Sequence, residues 1–213
     1  MKSALLAASL MVLPGQEHRI ANARIEGRSA AEFQTLLRTA APPFWIAYSA
    51  PAIAARRLAC CLYAEQECAG CYLEGRREGA RFQPGNSVNL EPPGSVVVLY
   101  RVANGGIEKV RTFSPDCELD AGGLTVYWLS AVGAQQSLDW LVTLAREDGS
   151  GKKGLPSAAA TAIAMHAGPE AVEHLIQLAR RTSAREAART ALMWLARSQD
   201  QRARRFFEEV FSR

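Results

Sequence analysis

Cysteine is missing from everything after Cys117, histidine occurs only 3 times, and no run beyond residue 13 is long and apolar enough to cross a bilayer. The first absence leaves the C-terminal half without a disulfide staple, so that half must hold itself together by packing. The second leaves little from which to build a metal centre or a general base. His18 lies near the start of the chain, and neither His166 nor His174 has a serine or cysteine placed beside it by the sequence. The third predicts that no segment of a mature chain spans a membrane. A strong charge bias is missing too: 25 Lys and Arg against 21 Asp and Glu leave +4, too little to argue for nucleic acid as a partner.

Residues 124–211 carry a pattern of their own. Leu129, Ile163 and Leu195 are spaced by 34 and 32 residues, and the trios Leu141, Leu175, Phe207 and Ser137, Ala171, Ala203 repeat both spacings. Breaks fall at mid-unit, at Gly133, at 167–169 and at 198–200. A period of this size, interrupted at half-period, predicts three stacked helical hairpins, six helices in all. Second helices are expected from about Ser137, Glu170 and Gln201. Leu138, Leu141, Val142 and Ala145 follow one helical stripe, Val172, Leu175, Ile176 and Ala179 a second, and Ala203, Phe206, Phe207 and Val210 a third. Trp128 and Trp194 precede equivalent leucines and are expected to pack between units around Ala162.

The first half changes period. Ser29 with Glu32 three residues on is a capping box, with Phe33, Leu36 and Leu37 on one face of the helix it starts, and Pro42-Pro43 ending that helix. Strands are expected at 44–48, 58–63, 71–73, 95–102 and 107–113, the last two joined as a hairpin by Asn104-Gly105-Gly106. A polar Gly/Pro-rich stretch at 76–94 is expected to be a mobile loop.

The N-terminus, Met1-Lys2-Ser3 followed by an apolar run over 4–13 and then Pro14-Gly15, has the layout of an export signal. Residues 1–20 are therefore expected to be a signal peptide, with export to the periplasm or the extracellular space. The 5 cysteines, all in the first half, suit a small module stapled by disulfides in an oxidising compartment. Cys60 and Cys61, adjacent on a strand, point to opposite faces and need different partners. A hairpin folded about Gln66 pairs Cys61 with Cys71 and leaves Cys60 for Cys117, with Cys68 the odd thiol. A one-residue slip exchanges these partners.

Cys68-Ala69-Gly70-Cys71 also has redox spacing, but strand-like sequence surrounds it where a helix N-terminus would activate the first thiol. Zinc is disfavoured because adjacent cysteines are awkward joint ligands. Asp116, Glu118 and Asp120 alternate on one side of an extended segment, but they lack a full calcium loop and read as a solvated sheet end or an N-cap from Asp120. No metal, cofactor or catalytic constellation is expected. Arg204 and Arg205 have Glu208 and Glu209 four residues on, the pairing of a solvated face, whereas Arg185 and Arg189 gain nothing locally and are free to meet an acidic partner. Trp140 and Leu144, with His174 and Leu178 in the next unit, lie off the main stripes. They are expected to align as a partner-binding face or as a contact with the cysteine module.

Residues 126–132 (Val-Tyr-Trp-Leu-Ser-Ala-Val) and 191–196 (Ala-Leu-Met-Trp-Leu-Ala) resemble helices of bacterial HEAT-like repeat proteins. The first half, with Trp45-Ile46-Ala47-Tyr48, Cys60-Cys61, Cys71-Tyr72-Leu73-Glu74 and Ser114-Pro115-Asp116-Cys117, resembles the N-terminal cysteine-containing module of exported members of that group. The resemblance implies a protein-binding scaffold and lends no activity. The expectation is thus an α+β chain. A small, mainly antiparallel β module at 21–120 is followed by a three-unit HEAT-like α-helical solenoid at 121–213. It is expected to be a non-enzymatic scaffold of the cell envelope that binds another protein. The alternative is an envelope thiol–disulfide protein using Cys68 and Cys71.

Overall fold

The computed structural model describes residues 20–53, 63–64, 67–68, 71–75, 94–115, 117–147, 152–180 and 185–212. Readings that fall elsewhere, including the export signal, His18, Cys60, Cys61, Asp116 and the 76–94 stretch up to residue 93, lie outside the described residues.

Ten strands and six α-helices follow in chain order. They are β1 (Ile20–Ala21), β2 (Arg24–Ser29), a 3-10 turn (Ala30–Glu32), α1 (Phe33–Thr39), β3 (Phe44–Pro51), β4 (Tyr63–Ala64), β5 (Glu67–Cys68) and β6 (Cys71–Tyr72). Then come β7 (Ser95–Ala103), β8 (Gly106–Phe113), β9 (Leu119–Asp120) and β10 (Thr125–Ser130). The helices α2 (Ala134–Ala145), α3 (Leu155–Met165), α4 (Pro169–Ala179), α5 (Arg185–Ala196) and α6 (Gln201–Phe211) complete the chain.

A five-stranded sheet in the order β2-β10-β3-β7-β8 is the centre of the molecule. The expected hairpin is there: Asn104 and Gly105 both take positive φ, 46° and 80°, as a two-residue turn between β7 and β8 requires. The capping box forms as well, the Ser29 backbone N–H donating to Glu32 Oε2 at 2.8 Å, and Phe33 and Leu36 are buried behind it. Period-two alternation sorts the strands. Phe44, Ile46, Tyr48 and Ala50 of β3, with Val96, Val98, Tyr100 and Val102 of β7, face the helices. Trp45, Ala47, Val97 and Leu99 face the other way, where they meet Leu73, Leu119 and Ala121 of a small parallel layer, β1-β9-β6. The sheet is buried on both faces, which is why 44–48 reads as an unbroken apolar run.

The sheet corrects two expectations. It is mixed, not mainly antiparallel: β10 runs parallel to β2 on one side and to β3 on the other. β10 itself replaces the first of the six helices expected after residue 124. Thr, Val, Tyr and Trp are β-branched or aromatic. The segment alternates, Val126 and Trp128 toward the small layer, Tyr127 and Leu129 toward the helices. Gly122 and Gly123 turn the chain into it and Ala131, at φ 57°, turns it out. Leu129 does share a core with Ile163 and Leu195, so the 34-residue spacing reflects a common core and not a common helix. For the same reason Trp128 and Trp194 are not a pair. They pack into the clusters on opposite faces of the sheet, and the Trp194 indole N–H reaches Thr161 Oγ1 at 3.3 Å.

Five helices follow β10. The stripes expected for α2 and α4 are buried, except that Ala179 is only half-buried, and on α6 Ala203 and Phe206 are buried. α2 packs on α3, α3 on α5, and α4 on α5 and α6. Pro169 opens α4, and the Asp200 side chain caps α6 by accepting from the Arg202 backbone N–H at 2.8 Å. The expected hairpin of 58–63 with 71–73 is also redrawn. β4 pairs with β5, Tyr63 opposite Cys68, whereas β6 belongs to the small parallel layer, Cys71 opposite Leu119. Among the described residues no helix is long and apolar enough to cross a membrane.

Candidate functional site

Three arrangements carry polar chemistry. The first is buried between sheet and helices. Tyr48 and Tyr100 project from β3 and β7 toward the helical layer with their hydroxyls 2.7 Å apart. Ser137, in the first turns of α2, sits 2.7 Å from Tyr48 Oη and 2.7 Å from His166 Nε2. His166 closes α3, and its Nδ1 lies 2.8 Å from the Ala162 carbonyl oxygen. Backbone bonds fix the same corner: Ile53 N–H donates to Met165 O at 3.1 Å and Ala167 N–H to Pro51 O at 3.0 Å, extending the end of β3 onto the α3–α4 turn.

The chain of protons has one direction. A carbonyl only accepts, so Nδ1 carries the hydrogen and Nε2 is the acceptor of a neutral ring. Ser137 must then donate to His166, Tyr48 to Ser137, and Tyr100 to Tyr48. Burial pushes the His166 imidazole below its ordinary value, against the opposing bond to Ala162, and pushes both phenols up. A serine donating to a histidine has the look of a nucleophile and its base. Both side chains are at 0 % exposure, however, and the second ring nitrogen meets a carbonyl where catalysis would place a carboxylate. This is a tie between layers.

The second arrangement lies on the other face. Glu74 accepts from the Trp45 indole at 2.8 Å and from Arg101, through Nε at 2.9 Å and through a terminal nitrogen at 2.8 Å. The other guanidinium nitrogen donates to Glu108 at 2.7 Å, and the Asn104 amide completes Glu108 at 2.6 Å. Burial raises the Glu74 carboxyl, but the Arg101 and Trp45 hydrogen bonds together outweigh it and hold the group below the usual carboxylate range. Those bonds commit Glu74, so the cluster clamps residues 71–75 to the sheet.

The third is the surface, where the expected partner-binding residues separate. Trp140 stacks on Phe33 with ring centroids 4.0 Å apart and meets Tyr48 edge-on at 5.7 Å, so it joins α2 to the β3 side of the molecule. Leu144 and Leu178 are buried at 5 % and 1 % and present nothing to a partner; the sequence puts them off the main stripe, but helices pack on two sides of α2 and α4. His174 is half-buried, and its buried Nδ1 has no hydrogen-bond partner among the described residues. Arg185 and Arg189 are exposed and make no ion pair among the described residues. Leu192 and Met193, which the sequence did not single out, are exposed on the same outer side of α5.

Asp120 caps a turn, accepting from Gly122 N–H at 2.7 Å and from the Asn22 amide at 2.7 Å. Among the described residues no three His, Cys, Asp or Glu side chains converge. Cys117 is buried and disulfide-bonded, and the side chains of the other four cysteines lie outside the described residues.

No family model, no curated protein and no solved structure matches the chain.

The Ser137–His166 pair escapes a linear reading because its members are 29 residues apart. A signal for it was present. Ser137 stands where the two later units carry Ala171 and Ala203, and a lone hydroxyl on a buried stripe needs a partner.

Proposed function

We propose that the chain is a non-catalytic protein-binding module of the cell envelope and that it binds through the outer face of α5. One observation carries the reading. Arg185, Arg189, Leu192 and Met193 stand at i, i+4, i+7 and i+8, exposed together on one side of a helix. Two guanidiniums with no ion pair among the described residues, beside exposed aliphatic side chains, suit a protein segment that is acidic and apolar. Among the described residues the buried polar chain of Ser137, His166, Tyr48 and Tyr100 is spent in the interior, which supports a non-enzymatic role. The stacking of α3/α4 on α5/α6 supports a HEAT-like reading of the last two helix pairs. The bonded Cys117 and the clustering of cysteines in one half support an oxidising compartment, and with the apolar N-terminal run they favour export.

The redox alternative rests on Cys68 and Cys71. The first ends β5 and the second begins β6, so neither opens a helix, the setting that lowers a thiol's pKa.

Fluorescence anisotropy with labelled peptides tests the binding reading. Acidic–aliphatic peptides should bind the native chain, their charge-reversed counterparts should not, and Arg185→Glu with Arg189→Glu should invert that preference. Equal binding by both peptide classes would sink it. Thiol counting under mild reductant addresses the alternative: a Cys68–Cys71 couple that opens and recloses reversibly would put redox chemistry first.

A further inference from the structure

We propose that His166 makes the α3–α4 turn an acid-operated latch. The neutral ring holds the turn against the end of β3, and a proton on the ring releases the turn to water while the sheet stays folded. The proposal does not depend on α5 binding a partner.

The latch has few parts. His166 follows the last residue of α3 with its backbone already extended, and α4 starts only three residues later, at Pro169. The ring is at 0 % exposure, yet Ala167 is half-buried and Gly168, Pro169 and Glu170 are exposed. On the strand side Pro51 is exposed and Ala52 and Ile53 are half-buried. The ring therefore lies just inside the surface, at the rim of the sheet–helix interface. Among the described residues two backbone hydrogen bonds join turn and strand, Ile53 N–H to Met165 O at 3.1 Å and Ala167 N–H to Pro51 O at 3.0 Å. The ring adds one bond to another element, from Nε2 to Ser137 Oγ at 2.7 Å; its Nδ1 bond to Ala162 stays within α3. Gly168, at φ 104°, supplies a hinge. Turning this corner outward breaks those three bonds and leaves the pairing of β3 with β7 and β10 untouched.

A proton on the buried ring meets no negative charge. α3 and β3 carry no charged residue at all. α2 presents Ser137, and its one charged residue, Asp139, is exposed. β7 presents Tyr100, through Tyr48, while its Arg101 is held on the other face by Glu74 and by Glu108 of β8. α4 carries Glu170 and Glu173, both exposed, and the half-buried His174. β8 and α5 also pack on α3, and there Lys109, Arg111, Arg185, Glu186 and Arg189 are all exposed. Burial thus dominates the ring's preference and pushes it below its ordinary value, against the bond to Ala162. An imidazolium left in place would be desolvated and unpaired. Water is one residue away, so a local movement of the turn relieves the charge at less cost than opening the core.

Amide hydrogen exchange of the full chain, expressed as protection factors at Ile53 and Ala167, tests the latch. Both amides should exchange through a local opening, with less protection than Val98 and Tyr100 of β7 and without response to low urea. Their protection should fall about tenfold between pH 7.5 and 5.5, as expected when an imidazole of ordinary pKa, about 6.5, is freed in the open state. His166→Gln should abolish that fall, and His174→Gln should keep it. Protection at Ile53 and Ala167 equal to that of β7, with the same sensitivity to urea, means that the turn opens only with the whole fold and overturns the proposal. So does a local opening indifferent to pH, or a pH dependence that survives His166→Gln or is lost in His174→Gln. If His166→Gln does not fold, the urea and pH series on the native chain and on His174→Gln still decide the matter.

Discussion

Ser137 contributes a single hydroxyl, yet it holds the middle of the chain that joins the sheet to α2 and α3. Replacing it with alanine leaves the Tyr48 hydroxyl without its acceptor and His166 Nε2 without its donor, both in the dry interior. Ser137→Ala should therefore cost about 2–3 kcal/mol, more than the loss of one average hydrogen bond, because two buried groups are orphaned. Urea unfolding measures this directly, and a change under 1 kcal/mol would mean that the Tyr48 hydroxyl and His166 Nε2 find other partners when Ser137 is lost. His166 adds a pH dependence with a definite sign. Its folded value is lowered while the unfolded ring titrates near its ordinary value of about 6.5, so the unfolded state takes up the proton first as pH falls. Stability from this residue is complete above that value and is lost as the pH falls toward the folded one, at no more than about 1.4 kcal/mol per pH unit for the single proton. Protonation would also reverse the whole chain, turning Nε2 into a donor and leaving the last hydroxyl, Tyr100, to find a new acceptor. Between pH 7.5 and 5.5 the native chain should lose stability, and His166→Gln should flatten that slope. An unchanged slope would assign the acid sensitivity to another group.

Strand β10 separates what local sequence carries from what it does not. The β7–β8 hairpin, the capping box before α1, and the apolar stripes of α2 and α4 are legible because each is set by residues within a few positions of one another. β2 is not, since Arg24, Glu26 and Arg28 give an edge strand a solvated surface with no apolar alternation. β10 is misread for the opposite reason: a long-range spacing, Leu129 to Ile163, outweighs a β-branched and aromatic composition that points to a strand. The turn that launches β10 offers a test. Gly122 has φ +65°, and a Cβ there would lie 2.9 Å from Glu74 Cβ. Gly122→Ala should destabilise by about 2 kcal/mol or more, adding backbone strain to a clash that pushes Glu74 off Arg101 and Trp45. Glu74→Ala, which removes most of the obstructing side chain but also the clamp, should not rescue it fully. A Gly122→Ala protein as stable as the native one would show that the turn relaxes without cost.

At the scale of the whole molecule, the insertion of β10 between β2 and β3 decides how the chain can be divided. The sequence places a boundary at residue 120, where charged residues and glycines interrupt the apolar pattern. β10 lies beyond that boundary, yet it pairs with β2 along six residues and with β3 along three. β2 and β3 do not touch each other in the sheet order, so without β10 the N-terminal half loses its continuity across the sheet. It also loses the helices that cover Phe44, Ile46, Tyr48, Val98 and Tyr100, since one core runs from Phe33 through the sheet to Phe206. A chain of residues 21–120 should therefore show no cooperative thermal transition, even with its cysteines oxidised, because neither face of the remaining strands is fully covered. The full chain should melt in a single transition followed alike by near-UV and far-UV circular dichroism. Extending the fragment to residue 147 supplies β10 and α2, and with them Leu129, Leu138 and Leu141, and should restore partial protection of the β3 and β7 amides in hydrogen exchange. A cooperative melt of 21–120 alone would mean that β2 and β3 can close on each other in the absence of β10, and that the late strand is an addition to a module that folds without it.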